Sequence, residues 1–91
     1  YRHTFAKRID YYFLELLEHI FTALHLPVQH KITRLGAAIG KLDSIKFFLQ
    51  LAWENKCIST EKYSALSESL NEIGRMLGGW KKGLESKTPA K

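Results

Sequence analysis

Tyr63–Leu84 reads YSALSESLNEIGRMLGGWKKGL. Within it Tyr63, Leu66, Leu70, Ile73, Leu77, Trp80 and Leu84 recur at alternating spacings of three and four. On a helix that spacing draws one unbroken apolar seam along a single side. A seam of this kind has to be buried against another element, so the stretch predicts a long amphipathic helix inside a helical domain. Arg75 and Lys82 fall two turns apart on the opposite side, with Gly78 and Gly79 between them. The helix therefore offers two contacts, an apolar one inward and a basic, glycine-rich one outward.

Working outward, residues 4–24 predict a first helix. Phe5, Ile9, Tyr12, Leu16, Ile20 and Ala23 form its stripe, and Phe13, Leu17 and Leu24 widen it. Lys7, Tyr11, Glu15, Glu18 and Thr22 make the polar strip. Thr4 is the expected N-cap, because its hydroxyl can accept from an unpaired amide of the first turn. Leu26-Pro27 stops the helix, since the residue before Pro is driven out of the helical region. A second helix follows over about 28–55, with Pro27 tolerated at its start. Its first half is lean, and Gly36 and Gly40 each cost ~1 kcal/mol relative to Ala. Close approach of a neighbouring helix is the expected compensation. Its second half, with Ile45, Phe47, Phe48, Leu49, Leu51, Ala52 and Trp53, is apolar on nearly every side and must be enclosed on nearly every side. Three helices do not obviously enclose it, so another helix or a second copy of the chain is expected to. Residues 56–58 connect, Ser59 or Thr60 caps the third helix, and that helix runs over about 60–86. The fold class is all-α, an antiparallel up-and-down bundle in one domain over 1–87, with 88–91 a loose tail.

Ninety-one residues make a single small domain with a modest core. A hydrophobic fraction of 45% is that of a globular chain. Its apolar stretches are broken by charge well short of the ~18 residues a membrane span needs. One cysteine, Cys57, leaves no intramolecular disulfide and fits a reducing, cytoplasmic compartment. The net charge of +5 favours anionic partners. That charge is uneven: from Arg75 onward Arg75, Lys81, Lys82, Lys87 and Lys91 face Glu85 alone.

Residue chemistry argues against an enzyme. Glu15, Glu18 and His19 lack the Glu-x-x-His spacing of a di-metal bundle, and His3, His25 and His30 show no ligand spacing. Cys57 has no evident His partner, and no phosphate-cradling loop occurs. No metal or cofactor is expected. The basic residues form two sets, Arg75, Lys81 and Lys82 on the third helix and Lys31, Arg34 and Lys41 on the second. Each set is either a solvated face or a row of phosphate contacts. With Trp80 assigned to the seam no aromatic platform is expected to be exposed, so nucleic-acid binding would be electrostatic and largely independent of sequence. Gly74, Gly78, Gly79 and Gly83 weaken one helix. Either a helix packs closely there, within the bundle or between subunits, or a ligand backbone approaches.

Asn71-Glu72-Ile73-Gly74-Arg75-Met76-Leu77-Gly78-Gly79-Trp80 resembles the C-terminal signature of the accessory variability determinants of diversity-generating retroelements, members of a four-helix-bundle family related to 23S rRNA intervening-sequence proteins. Arg2-His3-Thr4-Phe5 through Asp10 is similar to the start of that family's second helix. Leu42 through Phe48 with Leu51-Ala52-Trp53 is similar to its third, and Ile58-Ser59 with Tyr63 to its last turn and helix. The family's first helix would precede Tyr1, and the chain opens without Met, so residues lost upstream are expected. The resemblance implies a non-enzymatic, basic homo-oligomer, typically a pentamer, that binds a reverse transcriptase and its template RNA, and possibly DNA, during mutagenic cDNA synthesis. Arg75 occupies the signature's arginine and is the first candidate for partner contact, while Lys81 and Lys82 rest on charge alone. Gly36, Gly40, Gly74, Gly78, Gly79 and Trp80 are the candidates for helix or subunit packing. A bundle that serves protein interaction with no retroelement link is the alternative.

Overall fold

The computed structural model describes residues 2–87, and the tail at 88–91 lies outside the described residues. The described chain is three antiparallel helices in up-and-down order: α1 (Arg2–Ala23), α2 (Val28–Glu54) and α3 (Thr60–Lys87). No strand occurs among the described residues. α2 is central and packs against both neighbours, while the backbones of α1 and α3 do not approach each other.

Helix ends follow local chemistry. α1 begins at Arg2, so Thr4 lies inside the helix and is not its cap. At the other end the Lys31 ammonium donates to the carbonyls of Ala23 (2.8 Å) and Leu24 (3.1 Å). A cation bonded to the last carbonyls satisfies orphan acceptors and suits the negative end of the helix dipole. α2 closes in a Schellman arrangement, with Cys57 N–H donating to Ala52 O (2.8 Å) and Lys56 N–H to Trp53 O (2.9 Å). Lys56 takes the left-handed conformation this motif needs, with φ of 60°. Ser59 then caps α3, its hydroxyl accepting from Lys62 N–H at 3.1 Å. Trp53 and Tyr63 stack with parallel rings 4.6 Å apart, and the Trp53 indole donates to Thr60 Oγ1 at 3.1 Å, which fixes the corner between α2 and α3.

The core is Leu16 and Ala23 from α1, Leu35, Ala38, Leu42, Ile45, Leu49 and Ala52 from α2, and Leu70 and Leu77 from α3. Of the α3 seam, Leu70 and Leu77 are buried, Tyr63, Ile73, Trp80 and Leu84 pack partly against the core, and Leu66 is exposed. The residues that widen the α1 stripe, Phe13, Leu17 and Leu24, are also exposed. On α2, Phe47 is exposed while Phe48, Leu51 and Trp53 are half-buried. The single chain therefore leaves apolar surface in water on all three helices.

Much of that surface is a groove between α1 and α3. Phe13, Leu17 and Ile20 form one wall and Ile73, Met76 and Trp80 the other, with Leu16 and Leu77 at its base. Toward the opposite end of the bundle Phe5 and Ile9 face Leu66 across Leu49 and Ala52. Among the described residues no helix is long and apolar enough to cross a membrane.

Candidate functional site

The two sets of basic residues have different fates. On α2, Lys31, Arg34 and Lys41 point to α1 and are engaged there. Lys41 pairs with Glu15 at 2.8 Å, and its ammonium lies 5.3 Å from the centre of the Tyr12 ring. Hydrogen bonding from Lys41, then from the Tyr11 hydroxyl, holds the Glu15 carboxyl below its ordinary range, and Glu15 in turn raises the Lys41 ammonium. The same carboxylate raises the Tyr11 phenol. Arg34 meets His19 Nδ1 at 3.1 Å. A guanidinium only donates, so Nδ1 of His19 is the acceptor of this contact. With Lys31 on the α1 carbonyls, the α2 stripe is a seam to α1.

On α3 the pattern is looser. Arg75 is exposed and pairs with Glu72 one turn away. Lys81 pairs with Glu85 at 2.8 Å. Its stem crosses α2 at Gly36, where an added Cβ would lie 3.6 Å from Lys81 Cε. Lys82 is exposed and has no ion-pair partner among the described residues. Lys81 thus reaches α2 on the side facing α3, and Lys31, Arg34 and Lys41 leave it on the side facing α1. The six residues do not form one surface.

The glycines divide as well. A Cβ at Gly74 would lie 3.3 Å from Leu42 Cδ2 and 3.7 Å from Lys46 Nζ, so α2 packs closely there. Gly40, Gly78 and Gly79 face open space, so nothing among the described residues uses their missing side chains. Trp80 is half-buried on the α3 wall of the groove.

One expectation is overturned: aromatic surface is exposed. Tyr11 and Phe47 are each 56% accessible, and they belong to a run of ring contacts with Tyr12 and Phe48. Phe47-Phe48 is a consecutive pair, and on a helix two consecutive rings point about 100° apart, so both cannot face one core. Tyr11 sits in the polar strip of α1. Those two signals were present in the sequence.

No group of three or more His, Cys, Asp or Glu side chains is arranged to hold a metal ion among the described residues. These features define an antiparallel helical-bundle protein with an open apolar groove and basic residues divided between the two sides of its central helix. The chain belongs to the bAvd-like family, the bacterial accessory variability determinants, whose sequence profile matches residues 1–84. That family is an accessory, non-catalytic one. No curated protein and no solved structure matches the chain.

Proposed function

We propose that the protein is a non-catalytic, homo-oligomeric accessory factor of a diversity-generating retroelement, one that joins a reverse transcriptase to its template RNA in the cytoplasm. Family membership over residues 1–84 carries this reading. The net charge of +5 and Lys82 on the α3 outer face, which has no ion-pair partner among the described residues, support contact with phosphates. The open groove supports assembly, because Phe13, Leu17 and Met76 are too apolar to be left in water over so long a surface. A pentamer is the oligomer that the family resemblance implies. The mechanism is positioning: phosphate contacts set affinity for RNA, and helix contacts set which protein is recruited.

The test is a titration of structured RNA against salt. Affinity should fall steeply as salt rises, in proportion to the phosphates neutralised. Affinity indifferent to salt would remove the phosphate-contact mechanism. A reverse-transcriptase gene beside this one, with a pair of near-identical repeats, would support the retroelement assignment.

One observation favours a second reading, a protein-interaction bundle with no retroelement link. Five of the six candidate cations, Lys31, Arg34, Lys41, Arg75 and Lys81, already have partners within the chain. A protein of this family that gathers helices in its groove and ignores RNA at every salt concentration would fit that reading.

A further inference from the structure

Four rings run across the outer side of α1 and α2. Tyr11 contacts Tyr12 at 5.7 Å between centres, Tyr12 contacts Phe48 at 5.8 Å, and Phe48 contacts Phe47 at 5.1 Å. The two inner rings are half-buried, and the two end rings, Tyr11 and Phe47, stand largely in water. Single exposed rings are ordinary on a protein surface, but a connected band of four is not scatter.

Cations surround the band. The Arg8 guanidinium lies 6.0 Å from the Tyr12 ring centre and 5.5 Å from that of Phe48. Lys7 lines the same hollow as Arg8 and Tyr11. Neither Lys7 nor Arg8 has a carboxylate partner among the described residues. The carboxylates near the band are Glu15, held by Lys41, Asp43, which lines a hollow with Lys46 and Phe47, and Asp10, which precedes Tyr11 and lines a different hollow with Phe5 and Ile9; against them stand Lys7, Arg8, Lys41 and Lys46. The local balance is therefore positive, and the two cations without a carboxylate partner sit beside the Tyr11 end, the Arg8 guanidinium also donating to the Tyr12 hydroxyl at 3.4 Å.

We propose that this band is a stacking platform for single-stranded nucleic acid, with bases lying on Tyr11 and Phe47 and flanking phosphates held by Lys7 and Arg8. The inference rests on the RNA-binding reading above and goes beyond it, since purely electrostatic contact would not distinguish single strands from duplex. An aromatic face is open to any unpaired base, whereas bases inside a duplex are already stacked on each other. The rings, with two cations that no carboxylate among the described residues neutralises, favour a single strand over a protein segment, which would need acidic side chains to match Lys7 and Arg8.

The experiment compares the full chain with a Tyr11→Leu/Phe47→Leu double variant, which keeps apolar bulk at two exposed positions and removes both aromatic faces. The probes are roughly 15-nucleotide labelled oligouridylate and oligothymidylate, a length spanning one platform, together with duplex RNA of the same length. Anisotropy is followed at several salt concentrations. The single strands should bind the parent chain more tightly than duplex, and the double variant should lose about ten-fold or more on single strands alone. A further Lys7→Gln/Arg8→Gln variant should lower the salt slope on single strands by about 1.4. If the Leu variant binds single strands as the parent does, while duplex still binds in a salt-dependent way, the platform is wrong and the proposed function stands. If no RNA binds the parent chain at any salt, both fail together. If the Leu variant keeps its single-strand affinity but changes assembly mass or loses capture of a reverse transcriptase, the band is a protein contact and the proposal is overturned.

Discussion

Lys82 and Arg75 share the outer face of α3, yet among the described residues only Arg75 of the two is tied to a carboxylate, Glu72. A free cation gives its whole charge to a phosphate, whereas a paired one must first exchange partners. Lys82→Gln should therefore lower the salt slope of RNA binding by about one and weaken affinity uniformly across sequences. Arg75→Gln also releases Glu72, so it should cost more affinity than Lys82→Gln; equal slopes and affinities for both variants and the parent chain would remove this face from the binding surface. Glu15 makes a different prediction, about stability. Its folded carboxyl is lowered below the ordinary 4.5, by Lys41 first and Tyr11 second. The contribution is complete above that unfolded value and is lost as pH falls through the lowered folded one. The raised Lys41 works at the opposite extreme, and its share is lost only as pH rises beyond the ordinary 10.5. Thermal melts between neutral and strongly acid pH should thus fall more steeply for the parent chain than for Glu15→Gln, and parallel curves would contradict the pairing. Neither partner was legible in the sequence. Glu15 and Lys41 lie on different helices, and the pairing depends on their relative rotation, which periodicity does not set.

At the scale of the element, two glycines of α3 separate helix propensity from packing. Gly79 faces open space, so Gly79→Ala should gain the usual ~1 kcal/mol of helix propensity and raise the melting temperature. At Gly74 the new methyl would press on Leu42, which is only 1% accessible and has little room to move. Gly74→Ala should gain less than Gly79→Ala or lose stability outright, and equal gains would contradict the close packing of α2 against α3. A drop in assembly mass on Gly79→Leu would in turn place a subunit at that open face. The helices themselves were legible. The three-four spacing of Tyr63–Leu84 and the Leu26-Pro27 stop needed no partner information, because a periodic stripe and a blocked backbone are local facts. The start of α1 was not, since Thr4 offers a good cap but the helix continues through it to Arg2.

For the whole molecule, the groove is the feature that a single chain leaves unresolved. The enclosure problem was visible in the sequence of α2, but the exposed apolar surface lies as much on α1, at Leu14, Leu17 and Phe21. Stripe width alone did not show which side of each helix would be left open. Met76 is 60% accessible and would tolerate charge if the groove stood bare. Met76→Glu should instead reduce assembly mass or lower the melting temperature by several degrees, as a charge forced into a covered apolar contact does. Light scattering and a melt that both match the parent chain would show the groove uncovered. The reading of basic residues changed most at this scale. Lys31, Arg34 and Lys41 share one side of α2, as their spacing says, but that side turned out to meet α1.

The most direct test of the proposed adaptor role is co-purification of the protein with the reverse transcriptase of a diversity-generating retroelement, with and without that element's template RNA. The expected result is a stable complex with the enzyme whose RNA component is shed as salt rises. A reverse transcriptase that elutes alone at every salt concentration, with or without RNA, would contradict it.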